Sequence, residues 1–211
     1  MAQQIRNVLH PSASDAPSSI PYERFLEWDE DNQHVEWVDG KVIAMPPVSN
    51  AHQHLKAFLF SLMHVYTDAR GLGEVRDDPF QMKTGPDLPG RAPDILFVAK
   101  ENLGRLKKAH LDGPADLVVE IISPASRSTD RGEKLPEYEA GGVTEFWLLD
   151  PERKEAEFYV RGTDGTFHRS LPDNDGVFHS TVIQGLWIKL EWLWQNPRPA
   201  ALAVLRLWNV I

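Results

Sequence analysis

Arg91-Ala-Pro-Asp-Ile-Leu-Phe-Val98 and Asp116-Leu-Val-Val-Glu-Ile-Ile122 are two short apolar runs, each carrying an acid among Leu, Val and Ile. Runs of this length, bounded by proline and glycine turns, predict buried strands. Asp94 lies near the start of the first and Glu120 inside the second. A carboxylate in such a setting is costly to bury unless it is paired or holds a metal. The 26 residues from Asp94 to Glu120 leave room for one strand, a connection and the start of the next. Two readings follow. In one, the acids lie side by side on neighbouring strands and hold a cation. Mg²⁺ or Mn²⁺ suits that arrangement, because these hard ions accept two or three carboxylates and keep several waters. In the other, Asp94 sits at a strand edge and Glu120 is salt-bridged.

Working outward, His34-Val-Glu-Trp-Val38, the turn Asp39-Gly40 and Lys41-Val-Ile-Ala-Met45 predict a β-hairpin, because Asp-Gly supplies the positive φ angles of a tight turn. Glu36 falls mid-strand, on the face of His34 and Val38. Pro46-Pro47 breaks the chain. Ser49 or Asn50 then caps a helix to about Arg70, with Leu55, Phe58, Leu59, Leu62, Met63 and Tyr66 at helical spacing and Gly71 as the stop. Before the hairpin, Pro21 to Trp28 predicts a short helix capped by Ser18 or Ser19, and residues 1–19 a mobile arm. Residues 20–211 are expected to form a single domain.

After the helix, residues 74–83 predict a strand interrupted at Pro79, and Lys100 to Leu111 a partly helical connection. A helix is expected from about Ser128 to Ala140 and a strand from Val143 to Asp150. A hairpin follows over Glu155–Arg161 and Thr166–Ser170. The tail predicts strands at Val177–Thr181 and Ile183–Leu190, then a helix from Pro199 to Trp208. Strands and helices mix without strict alternation, which favours an α+β arrangement, a mixed sheet flanked by helices.

Hydrophobic residues make up 42 % of the 211 and charged residues 25 %, as in an ordinary soluble protein. There is no cysteine, which excludes disulfides, thiolate metal sites and a cysteine nucleophile. No apolar stretch of signal-peptide or membrane length occurs, so the expected compartment is the cytoplasm. The net charge of −9 argues against a general nucleic-acid binder. Residues 83–134, however, hold nine basic and eight acidic residues, so the region of the buried acids is the least negative and leaves room for a phosphate-bearing substrate. There is no P-loop, no G-x-G-x-x-G, no H-E-x-x-H and no G-x-S-x-G. The seven tryptophans are expected to pack in the core or an interface.

Further candidates surround the two acids. Asp130, Lys134 and Tyr138 are spaced four apart and share a helix face. Asp130 and Lys134 form either a surface ion pair or part of the site. In the latter case Lys134 points back at the Glu120 strand, where it positions a water or stabilises charge on a phosphate. Glu36 and His52 are either exposed polar residues or members of the same cleft, Glu36 as a further metal ligand or a base. His52 and His54 are two apart and cannot share a helix face, which argues against a two-histidine zinc site.

Together these stretches resemble the Uma2 family of the PD-(D/E)xK nuclease superfamily. The matching residues are Val35-Glu-Trp-Val-Asp-Gly-Lys41, Pro46-Pro47 with His52-Gln53, Ala92-Pro-Asp-Ile-Leu-Phe-Val98 and Leu117-Val-Val-Glu-Ile-Ile-Ser-Pro124. Asp130, Lys134, Tyr138 and Gly142-Val-Thr-Glu-Phe-Trp-Leu-Leu-Asp-Pro151 follow. The resemblance implies a restriction-endonuclease-like fold, a central mixed sheet with helices on both faces. It also implies a divalent-metal site and phosphodiester hydrolysis of nucleic acid, DNA before RNA. It makes Asp94 the acid of the Pro-Asp element, Glu120 the acid of the (D/E)xK element and Glu36 a third metal ligand. The superfamily lysine is expected two residues after Glu120, where this chain has Ile122, and Lys134 fills the role from the next helix. Asp130, Tyr138 and His52 are accessory site candidates. The alternative is a nuclease fold with reduced or lost activity, serving as a homodimeric binding or scaffold module through its apolar C-terminal region.

Overall fold

The computed structural model describes residues 19–27 and 34–211. Of the arm expected over residues 1–19, all but Ser19 lies outside the described residues, as does Trp28. Helix α1 (Tyr22–Leu26) starts from Pro21 without a side-chain cap. Ser19 does not cap it, because Ile20 is buried and donates its N–H to the Gly40 carbonyl at 2.7 Å, which keeps the segment extended.

Strands β1 (Val35–Val38) and β2 (Lys41–Ala44) form the expected hairpin. Asp39 and Gly40 turn it with φ of 50° and 78°, the left-handed pair that Asp-Gly tolerates. Helix α2 (Asn50–Arg70) begins where the Ser49 hydroxyl accepts the His52 N–H at 3.2 Å, and ends at Gly71, with φ 61°. The chain then runs through β3 (Gly73–Asp77), β4 (Gln81–Lys83), β5 (Gly90–Arg91), β6 (Ile95–Ala99), a 3₁₀ segment over Lys100–Arg105, β7 (His110–Asp112) and β8 (Leu117–Ile121). Next come α3 (Arg127–Thr129), a π turn (Asp130–Lys134) and α4 (Leu135–Gly141), one winding path where a regular helix is expected. The rest is β9 (Glu145–Asp150), β10 (Glu155–Arg161), β11 (Phe167–Ser170), β12 (Val177–His179), β13 (Trp187–Lys189), α5 (Leu190–Trp194) and α6 (Ala201–Leu207).

A six-stranded mixed sheet, in the order β11-β10-β9-β8-β6-β3, forms the centre. Only β8 and β9 run parallel within it. Every residue of β6, β8 and β9 is buried, which explains their largely apolar character and makes the acids among them, Glu120, Glu145 and Asp150, conspicuous. Alternation divides them between two cores. Ile95, Phe97, Leu117 and Val119 pack with Leu55, Leu59 and Leu62 of α2 on one face. Leu96, Val98, Val118 and Leu148 pack with Tyr138 of α4 on the other. Full burial of each such side chain contributes roughly 1.5–3 kcal/mol. Trp147, Trp192 and Trp208 lie in the α2-side core, the packing use expected for them.

A second sheet, β2-β1-β5-β4-β7, shares no strand with the first, but Met82 of β4 and Leu111 of β7 pack into the α4-side core. The interruption at Pro79 is therefore a change of sheet. β3 pairs with β6, while β4 pairs with β5 and, in parallel, with β7. In the tail the strand expected over Ile183–Leu190 is confined to Trp187–Lys189, and Leu190 instead opens the helix that runs to Trp194. Among the described residues no helix is long and apolar enough to cross a membrane.

Strand β9 ends on Asp150, which is buried. Its carboxylate accepts the Glu152 and Arg153 N–H groups at 3.1 and 3.0 Å and Arg127 Nη2 at 2.9 Å. Against the cost of burial, these donors hold its carboxyl below the usual range. Its stabilising effect is therefore complete above the unfolded-state pKa and is lost as pH falls through the lower folded one. Asp150→Asn is expected to cost about 1.5–3 kcal/mol in urea unfolding near neutral pH, the range for charge-assisted bonds. The difference from wild type closes in acid.

Candidate active site

Two strand registers bring the candidate residues together. In the antiparallel β6–β8 pair Ile95 faces Val119. One step further along the same register sets Asp94 opposite Glu120. Opposed side chains on one sheet face have Cβ atoms about 4.5–5.5 Å apart, and alternation turns both acids to the α4 side. In the antiparallel β1–β5 pair Trp37 faces Gly90, which sets Glu36 opposite Arg91. Arg91 lies three residues before Asp94 in the chain, so the hairpin is carried to the same end of the central sheet.

Asp94 and Glu120 are 8 % and 3 % exposed. Asp94 Oδ2 accepts the Ile121 N–H at 2.7 Å. His52 Nε2, from the first turn of α2, lies 3.1 and 3.2 Å from the two Asp94 oxygens. Its Nδ1 is buried and has no hydrogen-bond partner among the described residues. Glu120 Oε1 accepts the Tyr138 hydroxyl at 2.5 Å and Lys134 Nζ at 3.0 Å.

Lys134 is 2 % exposed, so the surface ion-pair reading of this residue does not hold. Its ammonium lies 3.2 Å from Glu36 Oε1 and 3.5 Å from Asp130 Oδ1 as well. The π turn ends at Lys134 and keeps both it and Asp130 inward; such turns often mark functional sites. Burial is the largest influence on the Glu120 carboxyl and raises it above the usual carboxylate range. Asp130, Asp94 and Glu36 push the same way and Lys134 opposes them. Lys134 stays an ammonium, because the surrounding acids outweigh its own burial.

Arg91, which opens the apolar run 91–98, carries no local signal of a site role in the sequence. It is 3 % exposed. Its Nη1 donates to Glu36 Oε2 at 2.8 Å, and its Nε and Nη2 fork onto Glu137 at 2.8 Å each. Glu36 Oε1 also accepts the Ala92 N–H at 3.2 Å. Both Glu36 oxygens are thus engaged by cations and backbone. Ser123 and Ser126 line the same pocket, as do Met45, Pro46 and Val48 of the β2–α2 connection. The stretch Ser123-Pro-Ala-Ser-Arg-Ser128 reads in the sequence as a loop rich in helix N-cap residues and gives no other signal. The seven candidates Glu36, His52, Asp94, Glu120, Asp130, Lys134 and Tyr138 fall into two bonded groups, His52 with Asp94 and Lys134 with Glu36, Glu120, Asp130 and, through Glu120, Tyr138. The two groups come together where Asp94 and Glu120 line one pocket.

A mixed central sheet with helices on both faces, and acids opposed on two adjacent strands, defines the restriction-endonuclease-like fold. The hairpin and short helix are its N-terminal extension. The chain belongs to the Uma2 family, whose model, described as "Putative restriction endonuclease", matches residues 22–191. An uncharacterized protein of Synechocystis, slr1290, is 26 % identical over 160 residues, which cover 75 % of this chain and 82 % of the relative. A crystal structure from Anabaena variabilis, titled a "putative nuclease belonging to DUF820", superposes with a TM-score of 0.67 at 17 % identity. The match covers 83 % of this chain and 97 % of that one. At that identity the likeness speaks for the fold.

Proposed function

We propose that the protein is a divalent-metal-dependent nuclease that hydrolyses phosphodiester bonds in nucleic acid, DNA in preference to RNA, in the cytoplasm. The observation that carries this reading is the convergence of Asp94, Glu120 and Lys134, from three separate elements, in one buried pocket.

The donor set fits a hard divalent cation. Glu36, Asp94, Glu120 and Asp130 supply four carboxylates, against the cations Lys134 and Arg91, and Arg91 is shared with Glu137. The balance is negative and the donors are oxygens, which suits Mg²⁺ or Mn²⁺. Among the described residues no group of three or more acids or histidines is placed to hold a metal ion. The pair assigned to it in this reading is Asp94 and Glu120, with water completing the shell. Glu36, with both oxygens engaged, contributes mainly by holding Lys134. When bound, such an ion lowers the pKa of a water and neutralises charge on the scissile phosphate.

The chain's own residues do the rest. Tyr138 and Lys134 fix Glu120 Oε1, leaving its other oxygen for the pocket. The Ile121 N–H and His52 fix Asp94. The Lys134 ammonium supplies fixed positive charge beside the scissile phosphate, where it orients the nucleophile or stabilises the charge developing in the transition state.

The test is cleavage of single- and double-stranded DNA and RNA with Mg²⁺ or Mn²⁺. Wild type is expected to cleave, and Asp94→Ala to lose the metal-dependent rate. Cleavage that survives both Asp94→Ala and Lys134→Ala removes the assignment.

A second reading, a homodimeric binding module on an inactive nuclease fold, is favoured by one observation. Leu202, Leu207 and Ile211, in and just beyond α6, are 59 %, 59 % and 60 % exposed. Calorimetry separates the two: if millimolar Mg²⁺ and Mn²⁺ fail to bind, the module reading gains.

A further inference from the structure

We infer that Arg91 is the positioning residue for Lys134, acting through Glu36. The inference rests on the nuclease reading for its consequence, but its geometry stands alone. Lys134 comes from a helix, and two residues of that helical path hold Arg91 in turn. Glu137 takes the fork of its guanidinium, and Glu133 lies 3.4 Å from Nη2. The remaining arm of Arg91 reaches Glu36, whose other oxygen lies 3.2 Å from Lys134 Nζ. The result is a closed circuit from helix to Arg91 to hairpin and back to the helix at Lys134.

Geometry explains why arginine stands here. Three carboxylates approach one guanidinium from different sides, and its planar set of donors meets them together. A lysine is a point charge and cannot fork onto Glu137 while reaching Glu36. Without the guanidinium, Glu36 would be a buried acid with one cation to satisfy it instead of two, and would swing toward solvent. Lys134 would then lose one of the two acids, Glu36 and Asp130, that hold it beside Glu120.

The experiment uses the full chain as wild type, Arg91→Met and Arg91→Lys, with two readouts. The first is the rate at which an amine-reactive reagent modifies Lys134, followed by mass spectrometry. Lys56 serves as the internal control, because it is buried in a separate ion pair with Asp77 and Asp78. Wild-type Lys134 is expected to resist modification. Arg91→Met is expected to raise its rate about tenfold or more through local opening, with Lys56 unchanged, and Arg91→Lys falls between. The second readout is metal-dependent cleavage, with kcat reduced on the order of 10²-fold by misplacement and KM little changed.

If Arg91→Met does not fold, Glu36→Gln takes its place with the same expectation at Lys134. Lys134 that remains protected in the folded variants overturns the inference. So does a matching rise at Lys56, which would report general loosening. A wild type that cleaves nothing with either metal sinks the nuclease reading, while the labelling arm still decides the positioning.

Discussion

Replacing Lys134 with methionine is expected to do the most damage of any single change, to stability and to catalysis together. Methionine approximates the lysine stem and fills the same space, so the loss is that of the charge. Three carboxylates now share that ammonium in a site where Lys134 is 2 % exposed. Removing one partner from a buried ionic group leaves the others uncompensated, at a cost of about 3–5 kcal/mol. Part of that cost is avoided if Glu120, already raised above the usual range, takes up a proton. Urea unfolding without metal measures it, and a loss under about 1 kcal/mol would mean that the network does not depend on Lys134. On the proposed reading, in which Lys134 sits beside the scissile phosphate, the loss of its charge is expected to cost on the order of 10²–10³ in kcat.

Glu120→Gln is expected to move stability and metal binding in opposite directions. Burial and neighbouring acids raise the Glu120 carboxyl, so the folded state binds that proton more tightly than the unfolded chain. For a raised acid, stability is lost as pH climbs above the unfolded-state pKa toward the folded one. Glutamine does not ionise. Without metal, the variant is therefore expected to match wild type in acid and to exceed it increasingly toward neutrality. The same change removes one of the two carboxylates proposed to hold the ion. A ligand at about 100 times its dissociation constant stabilises a fold by about 2.7 kcal/mol. Wild type is expected to gain that much with saturating Mn²⁺ and the variant none. Equal gains in thermal melts with and without the substitution would remove Glu120 from the metal site. A neutral-pH loss of stability in the metal-free variant would contradict the electrostatic account.

Much of the fold was legible because its signals are local. β6 and β8 announce themselves as short apolar runs, the second interrupted only by Glu120, α2 by its six periodic apolar residues, and the hairpin by Asp39-Gly40. The four-residue spacing of Asp130, Lys134 and Tyr138 survives the π turn, and all three residues reach the site. What escaped depends on pairing between distant residues. Nothing near Arg91 in the sequence reveals that Glu36, 55 positions away, lies opposite it. The split of residues 74–83 between two sheets follows from partners at Val98 and Leu111, not from composition. The opposition of Asp94 and Glu120 is likewise a matter of register, and a slip of one residue would have put the acids on opposite faces. His52 could be placed near a helix start, but its partner Asp94 is 42 residues on.

The seam between the two sheets has a consequence of its own. The hairpin that delivers Glu36 meets the strand of Arg91 at a single matched residue, Trp37 with Gly90. The central sheet, by contrast, is joined along whole ladders. So short a ladder gives way before those ladders melt, and Glu36 would leave with the hairpin. The site would then lose the alignment of Lys134 while the core stayed intact, so that on warming, the loss of site geometry and the melting of the fold are expected at two different temperatures.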